Sequence, residues 1–137
     1  MSIYLDNAAT TQVCPEAAEA ALGAMTEVYG NPSSTHRMGR EAKKMLDAAR
    51  SQVSRALGCA PEELYFTSCG SESDNWAIRR GAEYNARHGR HVISSAVEHS
   101  AVLKSLDELE KNGWEVIRLA PRADGSVAAE DVLAALR

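Results

Sequence analysis

Apolar positions recur at helical spacing in several long stretches and gather into short extended runs between them. Ala18, Ala21, Leu22, Met25 and Val28 fall on one side of a helix predicted near 15–29. Pro15 suits its first turn and Glu16 complements the positive end of its dipole. Gly30-Asn31-Pro32-Ser33-Ser34 ends it in a loop. A second stripe, Ala42, Met45, Leu46, Ala49, Val53, Ala56 and Leu57, predicts a helix near 37–57, with Arg40, Lys43, Lys44, Asp47 and Arg50 opposite and Gly58 as its stop. Leu64-Tyr65-Phe66-Thr67 is apolar, β-prone and too short for a helix, which predicts a strand near 63–67. After the small-residue turn Ser68-Cys69-Gly70-Ser71, helix is predicted near 71–87, strand near 91–95, helix near 99–112, strand near 114–118 and helix near 128–136. From Leu64 onward, strands and helices alternate, so the fold class is α/β with a parallel sheet covered by helices. The two leading helices stand outside that rhythm. No internal repeat is visible, and only residues 1–14 look irregular.

Composition narrows the function classes. The chain has 137 residues, 45% hydrophobic and 25% charged, which is one domain's worth of globular material rather than a disordered segment. No run approaches the roughly 20 apolar residues of a membrane span, and Asp6 and Asn7 interrupt the start before a signal peptide's apolar stretch develops. With 15 basic against 19 acidic residues and few aromatics, no nucleic-acid surface is expected. Cys14, Cys59 and Cys69 are odd in number and widely spaced. They predict neither a disulfide framework nor a metal site, and a reducing cytoplasm is the expected compartment. The four histidines lack metal-ligand spacing, so no metal is expected.

Two places carry candidate chemistry. The first is the strand-turn-helix through Phe66-Thr67-Ser68-Cys69-Gly70-Ser71-Glu72. Ligands of parallel α/β sheets bind beyond the carboxyl ends of the strands, where a helix N-terminus offers free N–H groups. Gly70 permits close approach, and Ser68 and Ser71 add hydroxyls, a combination that suits a phosphate. It is neither a Walker loop nor a dinucleotide fingerprint, and on its own pattern it also reads as an ordinary βα turn with serine caps. The second is Glu98-His99, after the strand at Val92-Ile93. An imidazole there can stack on a flat ligand or move protons near neutral pH, or simply cap the next helix. His36 is a candidate hydrogen-bond anchor in the Gly-Asn-Pro loop, while His88 and His91 read as solvated residues flanking Gly89. Cys69, just before a helix N-terminus, is either a thiol of lowered pKa or a small residue filling the turn. Cys14 and Cys59 are expected to pack.

Four segments in register give a further reading. Tyr4-Leu5-Asp6-Asn7-Ala8-Ala9-Thr10-Thr11, Gly30-Asn31-Pro32-Ser33-Ser34 with His36 and Gly39-Arg40, Phe66 to Asn75, and Glu98-His99-Ser100-Ala101-Val102-Leu103 together resemble the N-terminal part of pyridoxal-phosphate-dependent cysteine desulfurases. These belong to the class V aminotransferase group, and the likeness is closest to its iron–sulfur-assembly and nitrogen-fixation branch. The resemblance implies a partial fold-type I transferase large domain, a three-layer α/β/α arrangement around a mainly parallel sheet. Residues 1–14 would be a segment that packs with the small domain, and residues 15–137 the N-terminal portion of the large domain. It implies that Gly70 and Ser71 hold the phosphate of pyridoxal 5'-phosphate and that His99 stacks on its ring and assists proton transfer. It also implies L-cysteine as substrate, a homodimer, and an iron–sulfur scaffold or other sulfur-acceptor protein as partner. A selenocysteine lyase, an aminotransferase or a non-catalytic partial domain share the same features.

The sequence departs from that family in two ways. Cys69 stands where glycine is common, and Ser71 where threonine is usual. Family members also run to roughly three times this length. The lysine that carries the cofactor, the persulfide cysteine, the aspartate facing the pyridine nitrogen and the arginine for the substrate carboxylate would all lie beyond Arg137. Lys43, Lys44, Lys104 and Lys111 do not match the lysine's context, and none of the three cysteines matches the persulfide position. The expectation is a truncated chain, inactive alone, whose strand at Leu64-Thr67 lies apart from the other two and whose apolar faces are exposed.

Overall fold

A computed structural model describes residues 3–137; residues 1 and 2 of the irregular N-terminal segment lie outside the described residues. The chain divides into two compact units, Met1–Tyr65 and Phe66–Arg137.

In the first unit, the Asp6 to Thr11 segment is a turn tied by the Tyr4 hydroxyl, which donates to the Asp6 and Thr10 carbonyls at 3.0 and 3.2 Å. Helix α1, Pro15–Thr26, starts on its proline as expected and ends a turn early. Helix α2, Arg37–Leu57, matches its predicted limits and ends on Gly58 at φ 72°, a conformation that glycine adopts without a Cβ penalty. Between them the loop doubles back so closely that a Cβ on Gly39 would press on the Ser34 and Asn31 carbonyls. His36 is the anchor expected of it: it caps α2, its Nδ1 accepting from the Gly39 N–H at 3.4 Å.

The predicted apolar stripes are helical but not buried. No residue of α1 is buried, and of the α2 stripe only Ala42 is, with Met45, Val53 and Leu57 exposed. Periodicity fixes the helix; burial needs an opposing surface, and among the described residues α2 meets the Gly30–Ser34 loop at its start, the short 3-10 turn Pro61–Glu63 and the following Leu64, whose carbonyl accepts from Arg50. Exposed apolar faces were the expectation. Cys14 corrects one: it stands exposed before α1 rather than packed, while Cys59 is half-buried.

The second unit runs α3 (Gly70–Asn85), β1 (His91–Ser95), α4 (Ser100–Lys111), β2 (Glu115–Leu119) and α5 (Ala129–Ala135). β1 and β2 pair in parallel, from His91 opposite Glu115 to Ser95 opposite Leu119. The crossover is α4, whose Leu106 and Leu109 meet Ala82 of α3 in the core, with Ile78, Val92, Val102, Trp114 and Val116 packed around them. The predicted strand near 63–67 is corrected. Leu64 has extended dihedrals (φ −93°, ψ 127°), yet 64–67 joins no sheet, and the described sheet has two strands. A strand is defined by the ladder it makes, not by its own residues. His91 also departs from the solvated reading: its Nε2 is buried and makes no hydrogen bond among the described residues.

Candidate functional site

The candidate residues lie at one end of the second unit. β1 finishes at Ser95, and the turn after it is built by the Ser95 hydroxyl, which donates to Glu98 Oε1 at 2.7 Å and accepts from the Val97 N–H at 3.4 Å. That turn delivers His99 as the cap of α4. Its Nδ1 accepts from the Ala101 N–H at 3.1 Å and its ring stays exposed.

Helix α3 begins on Gly70, preceded by Cys69 in extended backbone at φ −167° and ψ 170°, a conformation open to any residue. The side chain that replaces the family's glycine therefore costs no backbone strain. Nothing lies within 4 Å of where a Cβ on Gly70 would stand, so the helix end opens onto free space. The serine caps expected on the local pattern are absent. Ser68 instead donates its N–H and its hydroxyl to the Glu72 carboxylate, at 2.6 and 2.7 Å, and the Thr67 and Ser73 hydroxyls meet at 2.6 Å. The Ser68 N–H, then its hydroxyl, hold the Glu72 carboxyl below its ordinary value. The Ser71 hydroxyl makes no hydrogen bond among the described residues.

This helix end stabilises negative charge. The Cys69 thiol falls short of a cap hydrogen bond in geometry. Even so, the Glu72 N–H above all, with the Ser71 N–H, holds its pKa below the ordinary thiol value, against the Glu72 carboxylate, which raises it.

The two helix starts lie side by side. Asn75, five residues into α3, accepts at Oδ1 from the hydroxyl of Ser105, five residues past the start of α4, at 2.9 Å. The helices run parallel, Ser71 facing Ser100 and Arg79 facing Glu108 across the groove between them, so equal offsets put both N-termini at the same level. A groove of about 550 Å³ runs along the two helices, from Ser71 and Ser100 at their starts to Lys111 at the end of α4, and neither Gly70 nor His99 lines it. Gly70, Ser71 and His99 thus share the carboxyl edge of the parallel pair, where such folds bind ligands. Sequence reasoning included Glu72 and Asn75 in its motifs without giving them a role, and missed Ser105. The signal for Ser105 was its place in the apolar stripe of α4, between Ala101 and Leu109, where a hydroxyl needs a partner. Among the described residues, no group of His, Cys, Asp and Glu is placed to hold a metal, and no helix is long and apolar enough to cross a membrane.

The chain is similar to known proteins along almost its whole length. The chain is 44% identical over 136 residues to a cysteine desulfurase, IscS, of Methanosarcina thermophila, covering 99% of this chain and 34% of that protein. It superposes on a solved NifS-like protein with a TM-score of 0.93 at 37% identity, over 99% of this chain and 37% of that one. A structure described as SspA in complex with cysteine matches with a TM-score of 0.91 at 34% identity, over 99% and 39%. The chain spans about a third of the length of the curated relatives it matches. Its two-stranded parallel sheet is consistent with part of a fold-type I domain. Because the model of the class-V aminotransferases matches residues 3–137, nearly the whole chain, the protein belongs to that family.

Proposed function

We propose that this chain is the cofactor-cradling N-terminal third of a cysteine desulfurase, which converts L-cysteine to L-alanine and leaves the sulfur as a persulfide on an enzyme cysteine. The observation that carries the reading is the alignment of the Ser71 helix start with the His99 cap on one sheet edge, in a chain similar throughout to cysteine desulfurases.

The residues present fit pyridoxal 5'-phosphate. The phosphate is an anion, and the N-terminus of α3, the positive end of its dipole, opens onto free space. Gly70, Ser71 and Glu72 supply N–H groups without intrahelical acceptors, and Ser71 supplies a hydroxyl. His99 supplies a flat, exposed ring one helix away. When bound, the cofactor provides the electron sink for the amino acid's breaking bonds.

Ser71 and the first N–H groups of α3 bind and orient the phosphate. The Glu72 carboxylate is turned back onto Ser68, which keeps its charge engaged and shapes the turn. With Nδ1 of His99 accepting from Ala101, the proton of the neutral imidazole sits on Nε2. That nitrogen is the one that moves a proton beside the ring. The remainder of the polypeptide contributes the lysine, the persulfide cysteine, the aspartate and the arginine. The homodimer, the sulfur-acceptor partner and the cytoplasmic setting of the family complete the reading.

The test uses the full-length polypeptide with L-cysteine and no 2-oxo acid. Alanine and an equal amount of protein-bound sulfur are expected, with neither from the 137-residue chain alone. Ser71→Ala should weaken cofactor retention by about 0.5–3 kcal/mol, and His99→Ala should slow a single turnover more than it weakens retention. Alanine formed only from selenocysteine, or an amino group transferred only to an added 2-oxo acid, overturns the desulfurase reading. Parent-like behaviour of both variants overturns the site.

A further inference from the structure

Asparagine side chains that bond back to their own helix are common in this chain. The Asn85 amide donates to the Gly81 carbonyl at 2.8 Å and the Asn112 amide to the Glu108 carbonyl at 2.7 Å. Asn75 does the same toward Ser71, at 2.7 Å, but is distinct in what its other end meets. Its Oδ1 faces the Ser105 hydroxyl of α4, a side chain only 1% exposed.

The orientation is fixed by chemistry. The Ser71 carbonyl only accepts, so the amide NH2 must face it and Oδ1 must face Ser105. Ser105 therefore donates to Asn75, and its single hydrogen is shared with the Ala101 carbonyl, also at 2.9 Å. The Ala101 N–H in turn donates to His99 Nδ1 at 3.1 Å. One continuous path runs from the Ser71 peptide through Asn75, Ser105 and Ala101 to the His99 ring. Its middle is buried, where a broken link leaves a polar atom without water or partner.

We infer that Asn75 and Ser105 are positioning residues that set the spacing between the phosphate-holding turn and the His99 ring, so that one ligand carrying both a phosphate and an aromatic ring can engage both. The inference rests on the proposed cofactor site. It adds that neither residue touches the ligand and that their effect depends on the ligand bridging the two helix starts.

The experiment measures affinity for two probes in the full-length apoprotein: pyridoxine 5'-phosphate, which has ring and phosphate but no aldehyde, and inorganic phosphate, which needs only the turn. Asn75→Ala and Ser105→Ala should each weaken pyridoxine 5'-phosphate by about five- to tenfold and inorganic phosphate by less than about twofold. The double variant Asn75→Ala/Ser105→Ala removes both partners and orphans neither. Its thermal midpoint should lie above that of either single variant, while the loss of ring-phosphate affinity persists. Equal weakening of both probes, or recovery of affinity together with stability in the double variant, would mean a merely structural link and overturn the inference. Unchanged affinity in all three variants also overturns it. If Ser71→Ala and His99→Ala leave pyridoxine 5'-phosphate binding as in the parent, the site reading itself fails and takes this inference with it.

Discussion

Leu106 is the side chain on which α4, and with it His99, depends for its seat. It is 2% exposed and sits with Ala82 and Leu109 at the centre of the second unit's core. Leu106→Ala removes most of an aliphatic side chain and leaves a cavity, a change that costs about 2–5 kcal/mol in well-packed proteins. The surrounding Ile78, Val92, Val102, Trp114 and Val116 are only partly buried, so the wall can relax inward. That places the expected loss at about 2–3 kcal/mol, in the lower part of the range. The control is Leu133→Ala, on α5 and 66% exposed, where a change within about 0.5 kcal/mol is expected. Urea unfolding followed by far-UV circular dichroism gives both midpoints, with equal slopes required for the comparison. If Leu106→Ala shifts the midpoint no more than Leu133→Ala does, the core assigned to this unit is wrong, and so is the seating of α4.

Two further outcomes follow from the geometry. The Glu72 carboxyl is held below its ordinary value of 4.5 by the Ser68 N–H and hydroxyl. Its contribution is therefore full above that value and fades as pH falls through the lower folded one. Glu72→Gln should flatten the acid side of a stability–pH profile below about pH 4.5 and leave its neutral side little changed, and an unaltered acid limb contradicts the clamp. Gly39→Ala should destabilise by about 1–3 kcal/mol because its Cβ meets carbonyl oxygens. Gly23→Ala, in open space on α1, should gain about 0.5–1 kcal/mol, and thermal midpoints that reverse this order refute the loop's close approach.

Local chemistry made most helices legible. Pro15, His36 and Gly58 mark helix ends, and α2 has the limits its stripe predicts. What failed depends on residues distant in sequence. Leu64 to Thr67 has strand-forming side chains, but a strand also needs a neighbour, and no local pattern reveals whether one is there. The stripes on α1 and α2 predict a face, not its cover. At the site, Gly70, Ser71 and His99 were visible as turn and strand-end residues. The Asn75–Ser105 bridge joins residues on different helices, and neither residue's neighbours announce the other.

The parallel register of β1 and β2 also dictates an order of events. Parallel neighbours cannot be joined by a tight hairpin, so the His91–Glu115 end of the ladder closes only after the chain has crossed over through α4. The ladder's bonds come late because the entropy of that crossover must be met first. α4 then acts as a splint that must form and dock before the strands can zip. Contacts on its inner face are therefore expected to form with the folding nucleus, and the prediction is that Leu106→Ala slows refolding more than it speeds unfolding in a denaturant-jump experiment; the reverse partition would refute it.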